Sequence, residues 1–315
     1  MTPQEKRIIR SSPGPEGKDS RLDSWLAARF TYRSRSEWQQ AVRRGEILLN
    51  GTRTRPARIL HGDETVDFVV PDIPEPPVRT DFRILAEFPQ YLAVEKPGNL
   101  PVHPSGRFFN HTLLMLLRAD FGELFPVNRL DRETSGIILF ARDPAAAGKL
   151  AAALSDHAVR KKYIVFVHGS FPETLRTVGW LFSDPVSPIR KKRHFAFEKP
   201  LTEPAESSDT EFRLISFNNN ISKVECTLHT GRLHQIRATL FSLGFPVVGD
   251  KLYGLDDTIF DRFSDGKLTE EDKNMLVVER QALHAFELKL TDPFDGTEKS
   301  FFSPLPPELE RLEQP

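Results

Sequence analysis

The sequence predicts an α+β fold with a mainly antiparallel mixed sheet, preceded by a small N-terminal α/β module, on three observations. Strand-like and helix-like runs are irregularly interspersed, without the regular beat of a doubly wound sheet. Pro71, Pro74, Pro76 and Pro77 crowd one segment, and prolines at that density make a stiff tether rather than a packed element. The 315 residues, 39% apolar and 28% charged, supply one sizeable core and a smaller one, since domains usually hold roughly 100–200 residues. The expected organisation is an arm over 1–19, a small domain over 20–70, a linker over 71–77 and a large domain over 78–315.

Residues 1–19, with Pro13, Gly14, Pro15 and Gly17 and few large apolar groups, read as a flexible arm. Leu22, Trp25, Leu26 and Phe30 then share one helical face. Ser36 is the expected cap of a second helix carrying Trp38, Ala41 and Val42, with Gly45 at its end. Ile47 to Gly51 reads ILLNG, whose Asn-Gly signals a tight hairpin turn, and Glu64 to Val70 alternates like a half-buried strand. In the larger part, strands are expected at Tyr91 to Lys96, Gly136 to Ala141, Tyr163 to Val167, Lys223 to Leu228 and Ala282 to Leu290. Helices are expected at Thr112 to Ala119, at Pro144 to Ser155 with proline in the first turn, and at Gln235 to Leu243.

Charge and cysteine content narrow the function classes. The 43 basic and 44 acidic side chains leave a formal charge of -1, which excludes a uniformly basic coat but not a basic face. The single cysteine, Cys226, can form neither an internal disulfide nor a thiolate metal cage, and it suits a reducing compartment. No apolar run reaches the roughly 18 residues of a membrane span, and the opening segment lacks the apolar stretch of a secretory signal. A cytoplasmic monomer without membrane contact is expected.

Between Arg21 and Leu60 stand nine arginines against Asp23, Glu37 and Glu46, leaving +6. Guanidinium groups bind phosphate bidentately and stack on bases, so a nucleic-acid backbone is the natural partner, although a merely solvated helix face would carry the same charge. The runs RLDSWLAARF and SRSEWQQAVRRGEILLNG, followed by a Gly62-Asp63 turn and a strand, resemble the small RNA-binding fold of a ribosomal small-subunit protein and of some tyrosyl-tRNA synthetases. That resemblance implies Arg33, Arg35, Arg43 and Arg44 as phosphate contacts.

Asp131, in NRLDRETSG just before an apolar strand, lies on a loop leading into a buried sheet. A lone loop aspartate is more often a turn residue bonding backbone N–H groups. Its surroundings, however, are close to the HRLDxxTSG signature of the RluA-type pseudouridine synthases, and four further stretches resemble that family in order. They are LAVEKPGNLPVHPSG (Leu92 to Gly106), VRKKYIVFVHG (Val159 to Gly169), HTGRLHQIRATLFSLGFPVVGDKLYG (His229 to Gly254) and RQALHAFELKL (Arg280 to Leu290). The resemblance implies RNA as substrate and an isomerisation that detaches uracil from ribose, turns it and rejoins it through carbon. It implies no cofactor and no metal.

Such a site needs an ionised carboxylate close to the sugar and shielded from water. The resemblance assigns that role to Asp131, either attacking the anomeric carbon or removing a neighbouring sugar proton. Burial raises a carboxylate's pKa, so a cation must keep it charged; an arginine about 4 Å away, at an effective dielectric near 20, supplies on the order of 4 kcal/mol. Arg237 matches the family's arginine for that role, with Arg232 the alternative and otherwise a phosphate contact. Tyr163 matches the tyrosine that stacks on the extracted base, its hydroxyl available to help remove the carbon-bound proton. Arg129 matches an arginine that fills the space left by a flipped nucleotide. Leu288 is the expected apolar floor of the pocket, and Lys161 and the cluster Arg190, Lys191, Lys192 and Arg193 are expected phosphate contacts.

Asn128 and Thr239 depart from the histidines usual in the motifs, and neither is a residue that the chemistry needs. The acidic stretch Leu255 to Glu279 would repel phosphate, so it should face away from RNA or gate it. Dispersed histidines and the lack of HExxH, a Walker loop or GxGxxG argue against metal hydrolases and nucleotide-binding enzymes. The alternative class is a non-catalytic RNA-binding or RNA-folding protein retaining the synthase fold.

Overall fold

The structure is a computed structural model that describes residues 8–30, 33–69, 75–106, 108–155, 159–189, 191–201, 203–256 and 258–314. The chain divides into two compact units between Glu75 and Pro76. Most of the expected linker, 71–74, and Arg190 of the expected basic cluster lie outside the described residues.

In the first unit, β1 (Ile8–Ser11), β2 (Ile47–Leu49), β3 (Thr52–Arg53) and β4 (Val66–Val69) form an antiparallel sheet in the order β1-β4-β2-β3. The helices are the short α1 (Gly14–Gly17), α2 (Leu22–Arg29) and α3 (Arg35–Arg44). Residues 1–7 of the expected arm lie outside the described residues; over 8–17 the expectation is corrected: Ile8 pairs with Val69 and Ser11 with Val66, because the free edge of β4 offers backbone partners to a short apolar segment. The expected Ser36 cap is corrected to Ser34. Its hydroxyl accepts from Glu37 N while the Glu37 carboxylate accepts from Ser34 N at 2.6 Å, a reciprocal box that satisfies two N–H groups of the first turn. Gly45, at φ 78°, ends α3. Asn50 and Gly51, both at positive φ, close the β2–β3 hairpin as the Asn-Gly pair predicts. Leu22, Leu26, Trp38, Ile47, Leu60 and Val66 fill the core.

The second unit is built on one sheet of eleven strands. In chain order these are β5 (Arg83–Glu87), β6 (Tyr91–Lys96), β7 (Phe125–Pro126), β8 (Ser135–Ala141), β9 (Arg160–His168), β10 (Thr174–Ser183), β11 (Arg193–Ala196), β12 (Glu206–Asn218), β13 (Ile221–Leu228), β14 (Leu283–Thr291) and β15 (Glu298–Phe302). The main path runs β11-β10-β12-β13-β9-β14-β8-β6-β5, with β15 on β14 and β7 on β8. Among the described residues only the β8–β14 pairing is parallel, so the sheet is mixed and mainly antiparallel. The helices are α4 (Leu113–Phe121), α5 (Pro144–Leu154), α6 (Gln235–Ser242), α7 (Thr258–Ser264), α8 (Glu270–Leu276) and α9 (Pro307–Glu310).

All seven residues of β8 are buried, because the strand is covered on both faces. Ile137 and Leu139 pack with Leu150 of α5, while Ile138 and Phe140 pack with Leu117 of α4, the alternation that a pleated strand imposes. The loop entering this strand is thus anchored by a rigid core. That loop carries Asp131.

Candidate active site

Three consecutive residues fix the entry into β8. Thr134 Oγ1 accepts from Gln281 Nε2 at 2.5 Å, and Ser135 Oγ accepts from Arg280 Nη2 at 3.0 Å. Gly136, at φ 114°, passes so close to β14 that an added Cβ would lie 2.1 Å from Ala285 O, which only glycine permits. Upstream, the fully buried Lys96 donates from Nζ to the carbonyls of Pro97, Leu100 and Arg132 at 2.8–3.0 Å. Burial pushes the pKa of this ammonium well down, and the three carbonyls solvate it in place of water. Asp131 is clamped from both sides in sequence.

The Asp131 carboxylate is about one quarter exposed, and Arg237 Nη1 donates to its Oδ2 at 2.6 Å. Arg237 comes from α6 and is itself buried. Its other donors, Nε and Nη2, form a fork with the fully buried Asp250 at 2.6 and 2.9 Å, and the guanidinium lies 4.9 Å from the Tyr253 ring centre. Burial alone would raise the pKa of Asp131; the charges of Arg237 and His234 and the bond from Arg237 outweigh it and hold the group at about 2. Burial likewise opposes the charge on Arg237, but Asp250 and Asp131 raise its pKa above the ordinary arginine value. One guanidinium between two carboxylates keeps all three groups ionised.

Asp131 Oδ1 is left facing His234, whose Nε2 lies 3.8 Å away. His234 sits at the start of α6 with φ 57°, and its Nδ1 is 2.9 Å from Tyr253 Oη, which accepts from Arg193 N at 2.8 Å. Burial and the Arg237 charge depress the histidine to about 4, so at neutral pH it is an uncharged ring. Tyr163, on β9 opposite Cys226 and Ala285, packs against Leu130 and Ile138. Its phenol is raised by burial, with the negative charge of Asp131 adding to the effect, and so stays protonated.

The structure thus brings together Asp131, Arg237 and Tyr163. It does not give Arg232 the role of cationic partner: that side chain is exposed and donates from Nε to Ser207 O at 3.1 Å. Arg129 is exposed beside His103, whose pKa burial and this guanidinium lower. Leu288 and Lys161 are register partners directed elsewhere. Leu288 packs with Ile137 and Leu150, and Lys161 Nζ donates to Leu154 O at the end of α5. Two residues along a strand is about 7 Å, enough to carry both from Tyr163 to α5, so neither serves as pocket floor or free phosphate contact here.

Of the four small-domain arginines, three have acidic neighbours. Arg33 Nη1 lies 3.4 Å from Glu46, with its guanidinium over the Trp38 and Phe68 rings; Arg35 reaches Asp23 at 3.2 Å and Arg44 reaches Glu46 at 2.5 Å. Arg43 is exposed.

Asp250, His234 and Gln281 were not singled out from the sequence. Asp250 had a readable signal: Val247, Val248 and Gly249 precede it, and an acid following a buried run must find a partner. Gly249, at φ 75°, abuts Arg280 O, where a Cβ would lie 2.1 Å away. Among the described residues no cluster of side chains fits a metal ion, and no helix is long and apolar enough to cross a membrane.

Residues 90–242 match the family model for RNA pseudouridylate synthase, and residues 20–66 match that for the S4 domain. The mouse (Mus musculus) pseudouridylate synthase RPUSD2 is 32% identical over 84% of this chain and 47% of its own length; the chain spans about half of that relative. The ribosomal large subunit pseudouridine synthase D of Xanthomonas campestris pv. campestris is 32% identical over 93% of this chain and 87% of its own. Among solved structures, the human RNA pseudouridylate synthase domain containing 1 superposes with a TM-score of 0.58 at 24% identity, covering 75% of this chain and 89% of that one, a likeness of fold. With the Asp131–Arg237 pair standing where the motifs put it, this chain belongs to the RNA pseudouridylate synthase family and carries an S4 domain in its N-terminal unit.

Proposed function

We propose that this protein converts a uridine of structured ribosomal or transfer RNA into pseudouridine, with Asp131 as the reacting carboxylate. The observation that carries this reading is the ionised, partly accessible Asp131 held at Oδ2 by the buried Arg237. Oδ1 is the oxygen available to a ribose. In the overall change the N1–C1′ bond breaks, a C5–C1′ bond forms, C5 loses its proton and N1 gains one. Asp131 either bonds C1′ transiently or takes the 2′ proton and returns it, and both routes need it charged at the start. Tyr163 supplies a stacking face for the detached base; its neutral phenol does not serve as a ready base. Arg129 is assigned to the gap left by the flipped nucleotide, and the S4 unit to anchoring surrounding RNA. An isomerisation has no redox step or group donor, so neither cofactor nor metal is assigned. Buried Cys226 as the single cysteine supports work in the cytoplasm, and a monomer suffices because one chain supplies the whole site.

Tritium placed at uracil C5 is released to water when C5 becomes the glycosidic carbon. Asp131→Asn should abolish release while leaving RNA affinity within about tenfold, because the carboxylate acts on the ribose rather than the backbone. Retained turnover would remove the mechanism. Mapping pseudouridine in RNA with and without the gene names the site: one missing position identifies the substrate, and none favours a binding-only protein.

A further inference from the structure

The acidic stretch 255–279 was expected to face away from RNA or gate it. The structure instead brings its first helix, α7, against the active-site loop. We propose that α7 is an aromatic carrier holding Lys191 and Arg132 beside Asp131, where the two cations receive the phosphodiester groups flanking the reacting nucleotide. The inference rests on the reading of Asp131 as the reacting group.

Phe260 places its ring 4.2 Å from Lys191 Nζ, and Phe263 places its ring 5.1 Å from the Arg132 guanidinium, which Phe108 flanks at 5.4 Å. Arg132 follows Asp131 directly in the chain. Lys191 lies within the field of Asp131, Glu133, Arg132 and Arg237; burial and the two guanidiniums lower its pKa while the two carboxylates raise it. Phe260 also packs with Leu252 and Tyr253, whose ring faces Arg237, so the carrier is continuous with the clamp behind the carboxylate.

Four acids of the stretch are turned to other uses. Arg262 takes Asp272 at 2.6 Å and Asp256 at 3.4 Å, Lys267 takes Asp265, and Lys273 takes Glu270. Glu133, the carboxylate nearest Arg132, is shared with Lys251, which approaches both of its oxygens at 3.0 Å. Among the described residues no carboxylate pairs with Lys191. This division has a physical consequence. A carboxylate would hold a lysine by neutralising it, whereas an aromatic face attracts it through the ring's quadrupole and leaves the full positive charge available. A segment rich in acid that offers only rings to Lys191 and Arg132 is arranged to keep them charged for an anion, and at a ribose being cleaved from its base the neighbouring anions are phosphodiesters.

The test uses the full-length protein and RNA labelled with tritium at uracil C5, taken from cells in which the gene is deleted. Lys191→Gln should raise KM about tenfold with kcat changed less than threefold, and should flatten the salt dependence of kcat/KM by about 0.7–0.9 in log–log slope, the share of one phosphate contact. Lys191→Arg should restore both. Phe260→Leu, which keeps apolar packing but removes the ring face, should raise KM about threefold. Wild-type KM and slope in Lys191→Gln, or a fall in kcat alone, overturns the proposal while Asp131→Asn remains inactive in the same assay. Activity in Asp131→Asn overturns the functional reading itself.

Discussion

Arginine does opposite work in the two units. In the second unit, buried Arg237 sits between Asp131 and Asp250, and each of its three side-chain nitrogens donates to a carboxylate and keeps it ionised. In the first, Arg35 and Arg44 are about half exposed and reach inward to the buried Asp23 and the mostly buried Glu46, while Arg43 projects from the same helix exposed. Residue type alone does not distinguish these uses. Burial does, because a guanidinium out of water must be paired to exist, whereas one at the surface exchanges a carboxylate for a phosphate at little cost.

The sharpest way to break that comparison is to remove the buried charge. Arg237→Met leaves Asp250 buried beside Asp131 with no counter-charge, which should destabilise the protein by about 3–5 kcal/mol and abolish turnover. Arg237→Lys should recover part of the stability, but a single ammonium cannot fork to one carboxylate while holding the other, so its activity should stay far below wild type. Urea titration and tritium release measure the two effects. An Arg237→Met protein as stable as wild type would mean that, without the guanidinium, the two carboxylates become protonated at little cost.

A smaller effect separates the units by pH. His234 and His284 of the second unit are both depressed to about 4, chiefly by burial; His284 Nε2 contacts Ser303 O and Nδ1 contacts Ser135 Oγ, each at 2.9 Å. Each binds its proton more readily when unfolded, near 6.5, than when folded. The unfolded state therefore gains protons between about pH 6.5 and 4, and stability falls with pH across that window by up to about 1.4 kcal/mol per pH unit for each histidine. The first unit has no buried histidine: its one histidine, His61, is exposed. Denaturation followed separately in the two units should show the second weakening first on acidification, and His284→Gln should reduce its slope. Equal slopes would show that other groups dominate.

How much of this was legible follows the same division. Asp131, Tyr163 and Arg237 could be read because each stands in a stretch that resembles the family's, and around Asp131 that stretch is dictated by packing: Thr134, Ser135 and Gly136 each meet a named partner on or before β14. His234 escaped because its role depends on where α6 lies in space; the buried run before Asp250 called for a partner, but only the position of α6 supplies Arg237 as that partner. Ser34 was legible in principle, since Ser-x-x-Glu through Glu37 is the capping pattern. The strand Ile8–Ser11 was not, because four residues with exposed isoleucines gain their order from the β4 edge alone. Leu288 was misplaced for a similar reason: the bulge between Ala285 and Glu287 and the run of β14 take it to α5. The count of nine arginines was correct and misleading at once, since it could not register the carboxylates that occupy Arg33, Arg35 and Arg44.

That last point yields the smallest effect and the most direct comparison within one helix. Arg43 and Arg44 are adjacent on α3, both carry full charge, and a sequence count treats them alike. Arg44 shares Glu46 with Arg33, so a phosphate reaching Arg44 must displace a carboxylate, and the net ion release on binding is reduced. Arg43→Ala should therefore weaken RNA binding several-fold and flatten its log–log salt slope by nearly the full share of one contact, about 0.7–0.9. Arg44→Ala should change the slope by clearly less, and Arg44→Ala combined with Glu46→Gln should differ little from Glu46→Gln alone. Filter binding at several salt concentrations distinguishes the two arginines. Equal slopes for Arg43→Ala and Arg44→Ala would mean that the Glu46 pair opens freely on RNA and that surface ion pairs in this domain do not ration its positive charge.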